Sequence, residues 1–230
     1  MRFERSTPAD IESRSFEIIT EELKEKGPVL INGRPFVITD PDGCASESEH
    51  AILSVVKRCI HTTADFDYAK SMYFSDGAVD RFFDLIRQGA TIVTDTNMAL
   101  SGINKKALSR YGCDALCYMA DEEVSQIAKE RRVTRAEVSM EKAMKLDGPV
   151  IFVIGNAPTA LMTLRDRYDR GDFTPEFVIG VPVGFVNVEA AKELIIESDI
   201  LHIVSRGRKG GSNVAAAIVN ALLYELGPRT

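Results

Sequence analysis

Apolar residues along this chain recur at two periods, and the alternation between them predicts the architecture. Helical spacing comes first. Ile11, Phe16, Ile18, Ile19 and Leu23 supply an apolar face after Thr7-Pro8, an N-cap followed by proline in the first turn, and Gly27-Pro28 stops the helix. Val29-Leu30-Ile31 and Phe36-Val37-Ile38 flank Asn32-Gly33, a pair that tolerates the positive φ of a type I′ turn, and so predict a β-hairpin. Ser46-Glu47-Ser48-Glu49 has capping-box spacing and opens a helix through Ile52, Val55, Val56 and Cys59.

Beyond this point the rhythm is regular. Helical patterns over 79–88, 105–110, 122–130, 134–147, 160–168, 188–197 and 214–226 interleave with strand patterns over 91–94, 115–118, 150–154, 177–181 and 201–204. Strands separated by helical crossovers predict an α/β fold with a mostly parallel sheet covered on both faces. With no repeat, low-complexity tract or linker, the 230 residues read as a single domain, 1–230.

Composition narrows the function. Apolar residues at 45% and charged residues at 27% describe an ordinary globular chain and exclude disorder, collagen and coiled coil. The net charge of −6 argues against a surface built for nucleic acid, so an anionic ligand must be met by a local basic cluster. The longest apolar run, Val150–Ile154, is far short of the ~20 residues a membrane span needs. Met1-Arg2-Phe3-Glu4-Arg5 lacks the apolar core of a signal peptide, so a cytoplasmic protein with no membrane partner is expected. Cys44, Cys59, Cys113 and Cys117 form no CxxC pair and are expected to be reduced thiols. Zinc at Cys113 and Cys117 would need two further ligands that the spacing does not supply, and no metal site is expected.

In open parallel sheets, ligands bind at the carboxyl ends of the strands. Four segments there are richer in glycine and polar residues than a connector requires: 94–98, 155–159, 182–186 and 205–212. The last, Ser205-Arg206-Gly207-Arg208-Lys209-Gly210-Gly211-Ser212, combines accessible backbone N–H groups, three cations and a following helix, which suits carboxylates or phosphates. The competing reading is a solvated basic loop. Walker, Rossmann and nucleophile-elbow spacings are absent. His61, placed after an apolar helix and before Thr62, Thr63, Asp65 and Asp67, can exchange a proton at working pH, since an unperturbed histidine titrates at about 6.5. From spacing alone, a catalytic and a structural His61 are both open, and a metal pair with Asp65 or Asp67 is a weak signal. His50, on a helix, and His202, in a strand, read as structural.

These segments also carry a resemblance. Ser13-Arg14-Ser15-Phe16-Glu17-Ile18-Ile19, Ile60-His61-Thr62-Thr63-Ala64-Asp65-Phe66, Thr94-Asp95-Thr96-Asn97-Met98, Gly155-Asn156-Ala157-Pro158-Thr159-Ala160-Leu161, Gly180-Val181-Pro182-Val183-Gly184-Phe185-Val186 and Arg206-Gly207-Arg208-Lys209-Gly210-Gly211-Ser212 run in the same order as in the precorrin-8X (cobalt-precorrin-8) methylmutases of cobalamin biosynthesis. The chain resembles that family over nearly its whole length. A stretch over about 28–41, containing the Asn-Gly hairpin, departs from the family pattern as an insertion, placed at the edge of the fold or the subunit contact.

The resemblance implies a flavodoxin-like three-layer domain, working as a homodimer, that moves a methyl group from C-11 to C-12 of a tetrapyrrole without redox cofactor or methyl donor. It implies His61 as the catalytic general acid. Ser15, Asp95, Met98, Arg135, Asn156, Ala157, Pro158, Thr159, Gly184, Phe185, Arg206, Gly207, Arg208, Lys209, Gly210, Gly211 and Ser212 then become the substrate-binding set. In that set Met98 and Phe185 would wall the macrocycle and the cations would meet its carboxylates. For Met98 and Phe185 the competing reading is plain core. A non-catalytic tetrapyrrole carrier of the same fold is the alternative function, and a phosphate- or nucleotide-handling enzyme is a third reading from the basic loop alone.

Overall fold

The computed structural model describes residues 7–27, 29–32, 34–36 and 46–227. Helix α1 (Pro8–Lys26) starts from a reciprocal capping box, with Thr7 Oγ1 accepting from the Asp10 amide and the Asp10 carboxylate accepting from the Thr7 amide. Strands β1 (Val29–Ile31) and β2 (Arg34–Phe36) pair antiparallel around Asn32, whose φ of 55° is what the turn requires. Residues 37 and 38, expected in the second strand of the hairpin, and Cys44 lie outside the described residues. Helix α2 (Glu47–Thr63) is capped by Ser46 and Glu49 as the spacing predicted.

The remaining elements are α3 (Tyr68–Ser71), β3 (Met72–Phe74), α4 (Ala78–Arg87), β4 (Thr91–Thr94), α5 (Asn97–Gly102), α6 (Lys105–Ser109), β5 (Asp114–Leu116), α7 (Glu122–Arg131) and α8 (Arg135–Ala143). They continue with β6 (Val150–Ile154), α9 (Pro158–Asp169), β7 (Phe177–Gly180), α10 (Val188–Ile196), β8 (His202–Ser205) and α11 (Ser212–Leu226). The six-stranded sheet has the order β3-β8-β7-β6-β4-β5. Five strands are parallel, and β3 pairs antiparallel with β8 at one edge. Counted among the parallel strands alone the order is 2-1-3-4-5, the flavodoxin-like arrangement, with its topological switch point between β4 and β6.

Alternation along the strands builds both cores. Ile92, Ile151, Val153, Phe177, Ile179 and Ile203 face α2, α4 and α11. Val93, Val150, Phe152, Ile154, Val178 and Val204 face α8, α9 and α10. Complete burial of a side chain such as Phe152 or Phe177 contributes about 1.5–3 kcal/mol, so the central strands are the most heavily stabilised part of the molecule.

The β1–β2 hairpin docks on the β3 edge. Asn32 Nδ2 donates to the Phe74 carbonyl (2.6 Å) and the Phe74 amide donates to Asn32 Oδ1 (2.8 Å). Three elements differ from the sequence pattern, which marks none of α3, β3 and α5. Each is short, and β3 is held by pairing with β8 and by Asn32 rather than by any periodicity of its own.

Candidate functional site

The carboxyl ends of β4 and β6 meet at the switch point, and Asp95 joins them. Its carboxylate is wholly buried and accepts hydrogen bonds from the amides of Gly155 (2.8 Å), Asn156 (2.8 Å) and Ala157 (2.6 Å). Burial pushes this carboxyl up from its ordinary value, and the three amides pull it back. Asp95 thus shapes the 155–159 loop from within, and its side chain does not reach the surface. Thr96 caps α5 and hydrogen-bonds Ser212 Oγ (2.7 Å), which fastens the start of α11 to the same place. Met98 lies in the first turn of α5 rather than in a loop, and it is 71% exposed. Phe185, after β7, is 83% exposed, so the core reading of these two residues fails and both are free to face a ligand.

The basic loop after β8 is fixed by close backbone contacts. A Cβ at Gly210 would fall 2.1 Å from the Val181 carbonyl oxygen, and one at Gly155 would fall 2.8 Å from Ser212 Cα. The Gly211 amide donates to the Val181 carbonyl (2.9 Å) and the Gly184 amide to the Arg208 carbonyl (3.2 Å), so the loops after β7 and β8 form one surface. All three cations are paired. Arg206 reaches Glu193 (3.3 Å) and lies over the Tyr73 ring, and Arg208 reaches Glu189 (3.0 Å) and lies over Phe185. Lys209 Nζ sits 2.5 Å from both Asp65 and Asp67. The lysine hydrogen bond holds the Asp65 carboxyl below its ordinary value, and the two carboxylates hold the Lys209 ammonium above its own. Exposed pairs of this kind are weak and screened by salt, so exchange for ligand carboxylates costs little.

His61 lies in the last turn of α2, not in the loop after it; the helix continues to Thr63 and ends on Ala64 in the left-handed conformation. The imidazole is exposed and stacks on Phe16 of α1, with ring centres 5.2 Å apart and planes at 18°. Arg58, one turn earlier, lies over the same phenyl ring (4.5 Å) and pairs with Glu12. Beside this stack is a cavity of about 470 Å³ bordered by Ser13, Phe16, Ser54, Arg58 and Tyr224. Ser15 is adjacent in sequence to Phe16, and its hydroxyl donates to the Ile11 carbonyl (2.8 Å). Arg135, exposed at the start of α8, donates to the Met119 carbonyl (3.3 Å), and the Thr134–Thr159 hydroxyl contact (2.9 Å) brings it beside Pro158 and Thr159. Among the described residues, no group of three or more His, Cys, Asp or Glu side chains is placed to hold a metal. No helix among them is long and apolar enough to cross a membrane.

A model of the family described as precorrin-8X methylmutase matches residues 10–225. The chain belongs to the precorrin-8X methylmutase family. The cobalt-precorrin-8 methylmutase of Salmonella typhimurium is 41% identical over 220 residues, covering 95% of this chain and 96% of that one. The precorrin-8X methylmutase of Pseudomonas aeruginosa is 36% identical, covering 73% of this chain and 81% of its own. The crystal structure of the precorrin-8X methylmutase of Thermus thermophilus superposes with a TM-score of 0.75 at 35% identity over 94% of both chains.

Two structural features of this methylmutase chain escaped the sequence pattern. Phe16 supports His61, and nothing in the Ser13–Ile19 motif says which residue the phenyl ring meets. Lys192 occupies a core position of α10 in the apolar series Val188, Ala191, Ile195, and a lysine at such a position was the available signal. The other histidines match their structural reading: His202 is buried, with Nδ1 on the Ile200 carbonyl (2.6 Å), and His50 pairs with Glu225 (2.8 Å).

Proposed function

We propose that this protein is the isomerase that moves the C-11 methyl group of precorrin-8X or cobalt-precorrin-8 to C-12, giving hydrogenobyrinic or cobyrinic acid in cobalamin biosynthesis. The observation that carries the reading is the tie between Lys209 and the Asp65–Asp67 segment. It holds the basic glycine loop against the chain that immediately follows His61. A proton donor and a set of carboxylate-binding groups therefore share one edge of the sheet. Family membership supplies the substrate class.

His61, as imidazolium, lends a proton to a ring nitrogen of the macrocycle. Electron density is drawn toward that nitrogen, the bond from C-11 to the methyl breaks as the bond to C-12 forms, and the π system shifts by one position. The proton then returns to His61, so substrate and product are isomers. No methyl donor or redox cofactor is required, because the migrating group is already on the substrate. General acid catalysis of this kind supplies about 10²–10⁴-fold, and holding the ring in one reactive geometry adds to it. Arg206, Arg208, Lys209 and Arg135 exchange their present partners for substrate acetates and propionates, and Met98 and Phe185 cover the ring face. Asp95 contributes by holding the 155–159 loop. The homodimer and a cytoplasmic location belong to the same proposal. Ile11 and Ile18, exposed on one face of α1, are apolar surface that a second copy would cover.

Each substrate, mixed with the purified protein and followed in the visible spectrum, tests the reading. Conversion of at least one to the corrin chromophore is expected, and unchanged spectra with both overturn it. His61→Ala should lose turnover by about 10²–10⁴-fold while still binding product. Equal behaviour of wild type and variant would favour a carrier.

A further inference from the structure

Lys192 is wholly buried in α10, facing the loop that follows β8. Its ammonium lies 2.7 Å from the Gly207 carbonyl, 2.8 Å from the Lys209 carbonyl and 3.3 Å from Ser205 Oγ. Ser205 Oγ in turn donates to the Lys209 carbonyl (3.0 Å). Burial lowers the lysine to about 8, the direction expected when a cation is taken out of water. A leucine here would avoid that cost but would take from the Gly207 and Lys209 carbonyls the donor that now holds them.

The arrangement fixes which way the loop's peptide groups point. A trans peptide is planar, with its C=O and N–H directed oppositely. The peptide joining Gly207 to Arg208 and the one joining Lys209 to Gly210 both aim their oxygens at Lys192, so the amides of Arg208 and Gly210 are turned to the far side. Among the described residues, neither amide takes part in a backbone-to-backbone hydrogen bond. Each of these N–H groups leaves its peptide on the side away from Lys192, and an amide so placed beside the Arg208 side chain can donate to an anion.

We infer that Lys192 is a positioning residue for substrate recognition: by drawing two loop carbonyls inward it presents the Arg208 and Gly210 amides to a carboxylate of the tetrapyrrole. The inference rests on the proposed function for the identity of that carboxylate, but the loop geometry stands apart from it. Lys192 itself touches no substrate. Its removal therefore affects binding more than the chemical step.

The test uses hydrogenobyrinic acid, the metal-free product, as probe. Lys192→Met should raise its Kd, and the KM for substrate, by tenfold or more with kcat within about threefold of wild type. Lys192→Arg, which keeps charge and donors, should recover most of the loss. A Kd within twofold of wild type in a folded Lys192→Met protein overturns the inference. Should that variant fail to fold, ¹H–¹⁵N spectra of the wild type decide. The Arg208 and Gly210 amides must shift on saturation with the probe, and unmoved resonances overturn the inference even when the wild type converts substrate. Shifts at both amides in a protein that converts neither substrate would support the loop assignment and refute the isomerase.

Discussion

Replacing Gly210 with alanine separates loop geometry from general stability. The added Cβ would lie 2.1 Å from the Val181 main-chain oxygen, and carbon and oxygen do not approach within about 3 Å, so the two backbones must part by roughly 1 Å. The obstacle is the carbonyl of the residue that follows β7, whose own amide is bonded to the Ile154 carbonyl (2.8 Å), and not a side chain that can turn aside. Relief therefore comes from the loop itself, which carries Arg208, Lys209 and the amides proposed to meet substrate. Overpacking of this sort costs about 1–3 kcal/mol of stability. A displacement of about 1 Å in a positioning element costs on the order of 10²-fold in turnover efficiency. Gly171→Ala provides the comparison: it lies in the turn after α9 with φ of 71° and open space around its Cβ, so only backbone strain of roughly 1–2 kcal/mol applies. The assays are urea unfolding and kcat/KM from the visible spectrum. Both variants should lose stability, but only Gly210→Ala should lose about 10²-fold in kcat/KM. A Gly210→Ala protein with wild-type kcat/KM would refute the role given to this loop.

Two further outcomes follow from the structure. Phe16→Ala removes the ring stacked on His61, a contact of about 0.5–1.5 kcal/mol, and should lower kcat up to roughly tenfold with product Kd nearly unchanged; a parallel loss in both would mean the phenyl ring serves binding instead. Loss of solvent holds the buried His202 ring below its ordinary value and so favours its neutral form in the folded protein. The unfolded chain then binds more protons below about pH 6.5, so this contribution to stability is full above that pH and is lost as pH falls. Urea midpoints at pH 7.5 and 5.5 should drop more for wild type than for His202→Gln, and equal drops would contradict the assignment.

The parts of the fold visible in the sequence are those set by local chemistry. The N-cap at Thr7, the capping box at Ser46, the Asn32 turn and the apolar run of β6 all act within a few residues. β3 was hidden because three residues carry no period, and its place depends on β8, some 130 positions away in the chain. The end of α2 is hidden in the sequence because no glycine marks it: Ala64 adopts the left-handed conformation instead. At the site, the glycine-rich cations were legible but their carboxylate partners were not. Glu189 and Glu193 come from α10, while Asp65 and Asp67 follow α2, so only the folded arrangement shows that the loop's charge is already matched. Asp95 shows the reverse: its motif stands out in the sequence, yet its carboxylate serves three amides within the protein.

The asparagine at the tip of the hairpin has a consequence outside the catalytic cycle. An outermost strand usually leaves a row of unused amides and carbonyls on which another polypeptide can assemble. Here a single carboxamide satisfies both main-chain groups of Phe74, so that rim offers an incoming chain no foothold at this residue. Truncating Asn32 would reopen it, and the first sign of the damage would be turbidity in concentrated samples rather than slower catalysis.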